Sequence, residues 1–223
     1  MDSEQIFQQY SKEIDKIKYT DDIKQYPVSE DITIGWERSL PKPPENSSRV
    51  TFNELKYLER ITKNLYSTGI NLIKLVDKEP LDLFTPILRK NGLEPLKKKD
   101  WKKLWNTSRP PMMNLKYKFN RPRPDQLGQI YGIKINVTQT KTHHTPAYPS
   151  GHTYYTAMAA HLLSARYPRL SGEFFHQVGV AGLARCLQGV HYPSDNDAAM
   201  ALSGVIWEDL RLKLFPELFL GEV

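Results

Sequence analysis

Residues 171–195 read SGEFFHQVGVAGLARCLQGVHYPSD. Phe174, Phe175, Val178, Val180, Leu183, Cys186 and Leu187 make residues 171–188 apolar nearly all round, the pattern of a helix enclosed by its own protein. Arg185 breaks that pattern. An unpaired buried guanidinium is costly, so Arg185 needs an anion, an acidic neighbour or a path to solvent. His191 follows six residues later and Asp195 four after that. At this spacing a carboxylate can hold one imidazole nitrogen while the other faces a reacting atom. Alone, such a pair is weak evidence.

Two further helical stretches flank this one, about 150–166 and 194–215, and each of the three opens with a serine suited to N-capping. Upstream, residues 121–149 are rich in Pro and Gly, and Ile133, Ile135 and Val137 alternate with Lys134, Asn136 and Thr138, which predicts a brief strand or extended loop. Helical segments are expected at 81–90 and 98–117, the second carrying Trp101 and Trp105 one turn apart as core packing rather than a ligand platform. Thr51 and Glu54 have capping-box spacing. Leu55, Leu58, Ile61, Leu65, Leu72 and Val76 then predict one long helix. Ile6, Tyr10, Ile14 and Ile17 sit at helical spacing before a polar stretch and the Pro-rich LPKPPENSS, residues 40–48. The expected fold is all-α, a compact helical bundle whose long Pro/Gly-containing loop borders the active site. Residues 1–50 are expected as an extension packed on a domain spanning 51–223.

The chain has 223 residues, enough for a sizeable core, and its 39% hydrophobic and 25% charged residues exclude a disordered or collagen-like protein. Its single cysteine, Cys186, excludes an intramolecular disulfide and fits a reducing compartment. The most apolar window, 174–190, is broken by His176, Gln177, Arg185 and Gln188, short of the ~18 residues a spanning helix needs. The acidic start MDSEQIFQQYSKEIDK lacks the form of a signal peptide. These features predict a soluble, cytoplasmic protein that does not span a membrane, although surface association is compatible with the amphipathic run VIWEDLRLKLFPELFL, residues 205–220. A net charge of +6 suits phosphate-bearing partners and by itself does not indicate nucleic acid.

Two more stretches join the first. PSGH, residues 149–152, puts Ser150, Gly151 and His152 at a predicted helix N-terminus, where backbone amides favour an anion. KYKFNRPRP supplies Lys116 and, after six intervening residues, Arg123 followed by Pro124. Together the three stretches resemble the signature of the type 2 phosphatidic acid phosphatase superfamily, which includes bacterial non-specific acid phosphatases and vanadium haloperoxidases. Its pattern is K-x6-R-P, then P-S-G-H, then S-R-x5-H-x3-D. Only the serine before the arginine departs, being Ala184 here. The likeness covers about residues 51–215 and is greatest, in size and in the lack of spanning helices, to the soluble acid phosphatases.

The resemblance implies that Lys116, Arg123, Arg185, Ser150 and the Gly151 amide hold phosphoryl oxygens. It further implies that His191 attacks phosphorus, Asp195 orients it, and His152 protonates the leaving oxygen. Three fixed cations can neutralise a phosphate ester and its transition state without a metal, so no metal and no cofactor is expected. The expected activity is that of a vanadate-inhibited phosphomonoesterase using a phosphohistidine on a small-molecule ester. Alternatives are a haloperoxidase holding vanadate as cofactor, a lipid or diphosphate phosphatase, and a non-catalytic phosphate-binding protein. Outside the motifs, His143 and His144 match no zinc spacing and are expected at the pocket mouth or in solvent. His161 and His176 are expected to pack, as is Cys186.

Overall fold

The computed structural model describes residues 2–9, 11–19, 34–138 and 143–219. Tyr10, the polar stretch at 20–33, loop residues 139–142 and Leu220 lie outside the described residues. Among the described residues every regular element is helical: α1 (Ser3–Gln9), α2 (Ser11–Ile14), α3 (Ile34–Glu37), α4 (Arg49–Lys63), α5 (Ser67–Lys78), α6 (Thr85–Lys90), α7 (Lys98–Phe119), α8 (Pro124–Ile130), α9 (Gly151–Arg166), α10 (Ser171–Leu187) and α11 (Pro193–Leu214). Short 3₁₀ turns at Pro80–Phe84, Pro168–Leu170 and Pro216–Leu218 join some of them.

Helix α9 is the centre of the bundle. Tyr154, Ala157, Met158, Ala159, Ala160 and Leu162 are fully buried, and the run of alanines lets α10 and α11 approach closely on either side. No residue of α9 is fully exposed, because its neighbours wrap it on every side. One core joins α9 and α11 to α7 through Leu104, Tyr154, Leu162, Leu202, Ile206 and Trp207. A second, with Phe84, Ala160, Phe174 and Val178, joins α9 to α10 and to the 3₁₀ turn before α6. Each such large apolar side chain contributes roughly 1.5–3 kcal/mol on burial. The C-terminal amphipathic run faces inward, since Ile206, Trp207, Leu210, Phe215 and Phe219 all belong to the first of these cores. The described part of residues 1–50 packs on the bundle: Ile14 joins Phe52, Leu55 and Tyr131 in a cluster, and Asn46 Nδ2 donates to the carbonyls of Ile14 and Ile17 at 2.9 Å each.

Several local expectations are corrected. The long helix predicted from Thr51 to Val76 is two helices, α4 and α5, broken at Asn64–Tyr66. Asn64, Ser67, Thr68 and Gly69 are poor helix formers in close succession, and apolar spacing that stays in phase across them does not overcome that. Ser48, not Thr51, caps α4: its Oγ accepts from the Thr51 N–H at 3.1 Å. The serines of the three motif helices do not cap with their side chains; Ser194 instead donates to Glu54 at 2.9 Å. Residues 133–138 are an extended loop without a strand partner among the described residues, tied down by the Asn136 N–H donating to Thr62 Oγ1 at 3.2 Å. His176 is exposed rather than packed, whereas His161 stacks on Trp207 at 5.8 Å as expected.

Candidate active site

Lys116 lies in the last turn of α7, which ends where Asn120 takes a left-handed φ of 50°. Arg121-Pro122-Arg123-Pro124 then runs on with φ restrained at both prolines. Residues two apart in an extended chain emerge on one side, so both guanidiniums turn inward. Arg121 is 2% exposed and Arg123 1%. At the other end of the motif set, α10 stops and Gly189 turns the chain with φ 77°. A Cβ there would sit 3.0 Å from the Asn136 carbonyl oxygen, so this turn has room only for glycine. The turn delivers His191 to the pocket and leads through Pro193 into α11, which carries Asp195 in its first turn.

The result is a cavity of about 370 Å³ lined at its charged end by Lys116, Arg123, Gly151, His152, Arg185 and His191. Asp195 and Ser150 lie beneath the floor, both fully buried. The Ser150 hydroxyl pairs with Thr153 Oγ1 at 3.0 Å, and its N–H donates to the Asp195 carbonyl at 2.9 Å. Gly151 begins α9, whose N-terminus has no side-chain cap. A methyl at Gly151 would meet Lys116 Cε at an ordinary 3.6 Å, so glycine here leaves open floor in front of the backbone rather than relieving a clash.

His191 is oriented from both sides. Its Nδ1 is 3.0 Å from Asp195 Oδ2, which also accepts the Tyr192 N–H at 3.0 Å. A carboxylate on Nδ1 requires that nitrogen to carry the proton, leaving the lone pair on Nε2. Arg123 NH1 is 2.9 Å from Nε2 and donates to the Val190 carbonyl at 2.6 Å. Arg123 Nε also donates to the Thr145 carbonyl at 2.8 Å. Burial first, then Arg123, Lys116 and Arg185, hold His191 well below its usual pKa, so it is neutral. Burial and Arg185 likewise push His152 down to about 3, opposed by Asp77. The cations pay for this crowding too: burial lowers Lys116 well below its normal value and Arg123 to about 10. Lys116 Nζ is held by the carbonyls of Pro146 at 2.7 Å and Ala147 at 3.3 Å. An anion placed among these groups would relieve all of them at once.

Four supporting residues escaped the motif reading. Arg121 NH1 donates to Asp195 Oδ1 at 2.6 Å and its NH2 to Glu54 Oε2 at 3.1 Å, with its guanidinium 3.8 Å from the Tyr192 ring centre. Glu54 accepts the Ser194 N–H at 2.7 Å. Asp77 pairs with Arg185 at 3.0 Å, and Gln188 also accepts from Arg185. Arg185 thus has the acidic neighbour its burial calls for, and it also lines the cavity. Ala184, where the family pattern has serine, sits in an apolar cluster with Val76, Leu83 and Ala181.

The other end of the cavity is apolar and aromatic, with Pro80, Trp105, Met112, Met113 and Tyr155. Trp105 therefore is not core packing alone: it stacks on Trp101 at 5.8 Å, meets Tyr155 edge-on at 4.7 Å and faces the cavity. Of the loop expected to border the site, Thr145 lines it. His144 is exposed, and His143 lies 3.4 Å from Asp125 outside the lining. Among the described residues no group of three or more His, Cys, Asp or Glu side chains is placed to hold a metal ion.

No curated protein matches the chain. Among solved structures, one similar to it is the first transmembrane PAP2 type phosphatidylglycerolphosphate phosphatase from Bacillus subtilis, at 16% identity and a TM-score of 0.48, covering 75% of this chain and 86% of that one. That neighbour is a transmembrane protein, which overturns the expectation of a soluble, cytoplasmic one: likeness to these phosphatases does not carry a compartment with it. Among the described residues no helix is long and apolar enough to cross a membrane. The PAP2 superfamily matches residues 104–208, a match that supports phosphatase-type activity. Lys116, Arg123, Ser150, Gly151, His152, Arg185, His191 and Asp195 all fall inside the span that matches the PAP2 superfamily.

Proposed function

We propose that the chain is a phosphomonoesterase that works through a phosphohistidine on His191, with Lys116, Arg123, Arg185 and the Gly151 amide holding the phosphoryl oxygens. The observation that carries this reading is His191 itself: Asp195 on Nδ1 leaves an unprotonated Nε2 beside Arg123, at the end of the cavity that Lys116 and Arg185 also line. In the first step Nε2 bonds to phosphorus and the ester oxygen leaves with its electron pair, taking a proton from His152. In the second, water attacks phosphorus, the bond from phosphorus to Nε2 breaks with its electron pair returning to His191, His152 accepts a proton from the water, and inorganic phosphate is released. The three cations supply the charge neutralisation that a metal supplies in other phosphatases, so turnover should survive a chelator.

The resting pocket explains one detail of that sequence. With a pKa of about 3, His152 carries no proton until an anion arrives among the cations that depress it. A phosphate monoester, whose second pKa is near ~6, can bring both the anion and the proton. The test is a rapid quench in alkali with labelled substrate. An acid-labile phosphohistidine should appear in the parent and in His152→Ala, and not in His191→Ala. His152→Ala should lose about a hundredfold to ten-thousandfold on an alkyl phosphate and much less on p-nitrophenyl phosphate, whose leaving group needs little protonation. Label persisting in His191→Ala would reject this nucleophile.

A further inference from the structure

The N-cap and first turns of α7 read KKKDWKK from Lys97, five lysines in seven residues. Lys97, Lys98, Lys99 and Lys102 are exposed, and no ion pair among the described residues neutralises them. The acid among them, Asp100, is taken by Arg166. Lys103 is used differently, donating to the Leu214 carbonyl and lying 5.3 Å from the Phe215 ring centre. At ~100° per residue, Lys98, Lys102, Trp105 and Arg109 fall within about 60° of one another around the helix axis, so they form one ridge roughly 16 Å long. Trp105 and Arg109 on that ridge line the cavity, and so does Lys116 further along the same helix. Lys78, also exposed, lines the cavity from the end of α5.

We propose that this ridge docks the protein on an anionic lipid bilayer, with the cavity mouth facing the headgroups. Three features favour a bilayer over a small soluble anion. Lys98 and Lys102 stand outside the cavity, too far along the helix to touch a ligand held at Lys116. Trp105 and Tyr155 are half-buried in the cavity lining, and such rings with one apolar and one polar end settle at headgroup level. Clusters of four to eight cations on a helix bind anionic leaflets through their summed field, whereas a single small anion uses one or two. The proposal goes beyond the phosphatase reading and does not need it: docking requires only the ridge.

The experiment uses the full chain and vesicles of phosphatidylcholine, alone or with roughly a third phosphatidylserine, in co-sedimentation at low salt and at about 0.5 M salt. Binding should appear with the anionic vesicles only and disappear at high salt. Lys98→Glu/Lys102→Glu should bind them at least about tenfold more weakly while hydrolysing p-nitrophenyl phosphate like the parent. Equal binding to neutral vesicles, no binding to anionic ones, or undiminished binding by the variant would overturn the proposal. A variant that loses turnover of the soluble ester instead would show the ridge serving substrate entry, which also overturns it. Turnover by the parent in the same samples tests the phosphatase reading separately.

Discussion

Arg121 sits between two buried carboxylates, and its removal is the most demanding test of the site's construction. It is 2% exposed, Asp195 is fully buried and Glu54 9% exposed. At an effective dielectric near 20, unit charges about 4 Å apart attract by ~4 kcal/mol, and Arg121 makes two such pairs. Desolvation offsets much of that in the intact triad, but Arg121→Met leaves both acids buried without their cation. Losing one partner of a buried pair costs about 3–5 kcal/mol, which should read directly in the urea midpoint. The pH dependence has a definite sign. Burial raises the Glu54 pKa above its ordinary 4.5, with Arg121 opposing. Without Arg121 it rises further, so folded Glu54 keeps a proton that the unfolded chain releases, and stability falls as pH climbs above 4.5. The penalty of Arg121→Met should therefore be largest near neutral pH and shrink toward about pH 5. Adding Glu54→Gln should recover about 1–2 kcal/mol of it, because the amide still accepts from the Ser194 N–H but carries no charge. A loss under about 1 kcal/mol at neutral pH, or one that deepens on acidification, would refute the triad as drawn.

Two further outcomes follow from the pocket. Because free His152 has a pKa of about 3, the alkaline limb of kcat/KM should track the ester's own second phosphate pKa rather than a histidine near 6.5; a limb that stays fixed while esters of different pKa are compared would count against proton delivery by the substrate. Gly189→Ala should destabilise the fold by about 1–3 kcal/mol, from the left-handed backbone and the contact with the Asn136 carbonyl, and thermal unfolding of the purified variant measures it.

What the sequence discloses about this site depends on how far apart the interacting residues are. His191 and Asp195 are four residues apart, and Gly151 and His152 are adjacent, so their relation is written in local spacing. Glu54 with Arg121, and Asp77 with Arg185, are joined across 67 and 108 residues, and no periodicity reports a contact of that kind. Glu54 even carried a misleading local signal, since its distance from Thr51 imitates a capping box that Ser48 makes unnecessary. Arg121 was hidden in plain view between Lys116 and Arg123; the repeated Arg-Pro pair is the one trace that could have exposed it. The fold followed the same rule. Helix α10 is legible from its many apolar residues, although Gly172, Glu173, His176, Gly179 and Leu183 give it an exposed face rather than the enclosure expected, while the break at Asn64–Tyr66 is not, because its apolar phase continues unbroken.

The ion pairs made by Glu54 and Asp77 set a limit on what can be transplanted. Both acids lie before residue 104, where the superfamily match begins, yet Asp77 pairs with Arg185 in the cavity wall and Glu54 pairs with Arg121, which in turn holds Asp195. Grafting residues 104–208 onto another helical scaffold would carry every motif residue and arrive with Arg121 and Arg185 each missing a counter-ion. The recipient would need its own pair of acids at matching depth before those arginines could stay inside. The unit of inheritance seen in a family comparison is here smaller than the unit that must be built for the guanidiniums to remain buried.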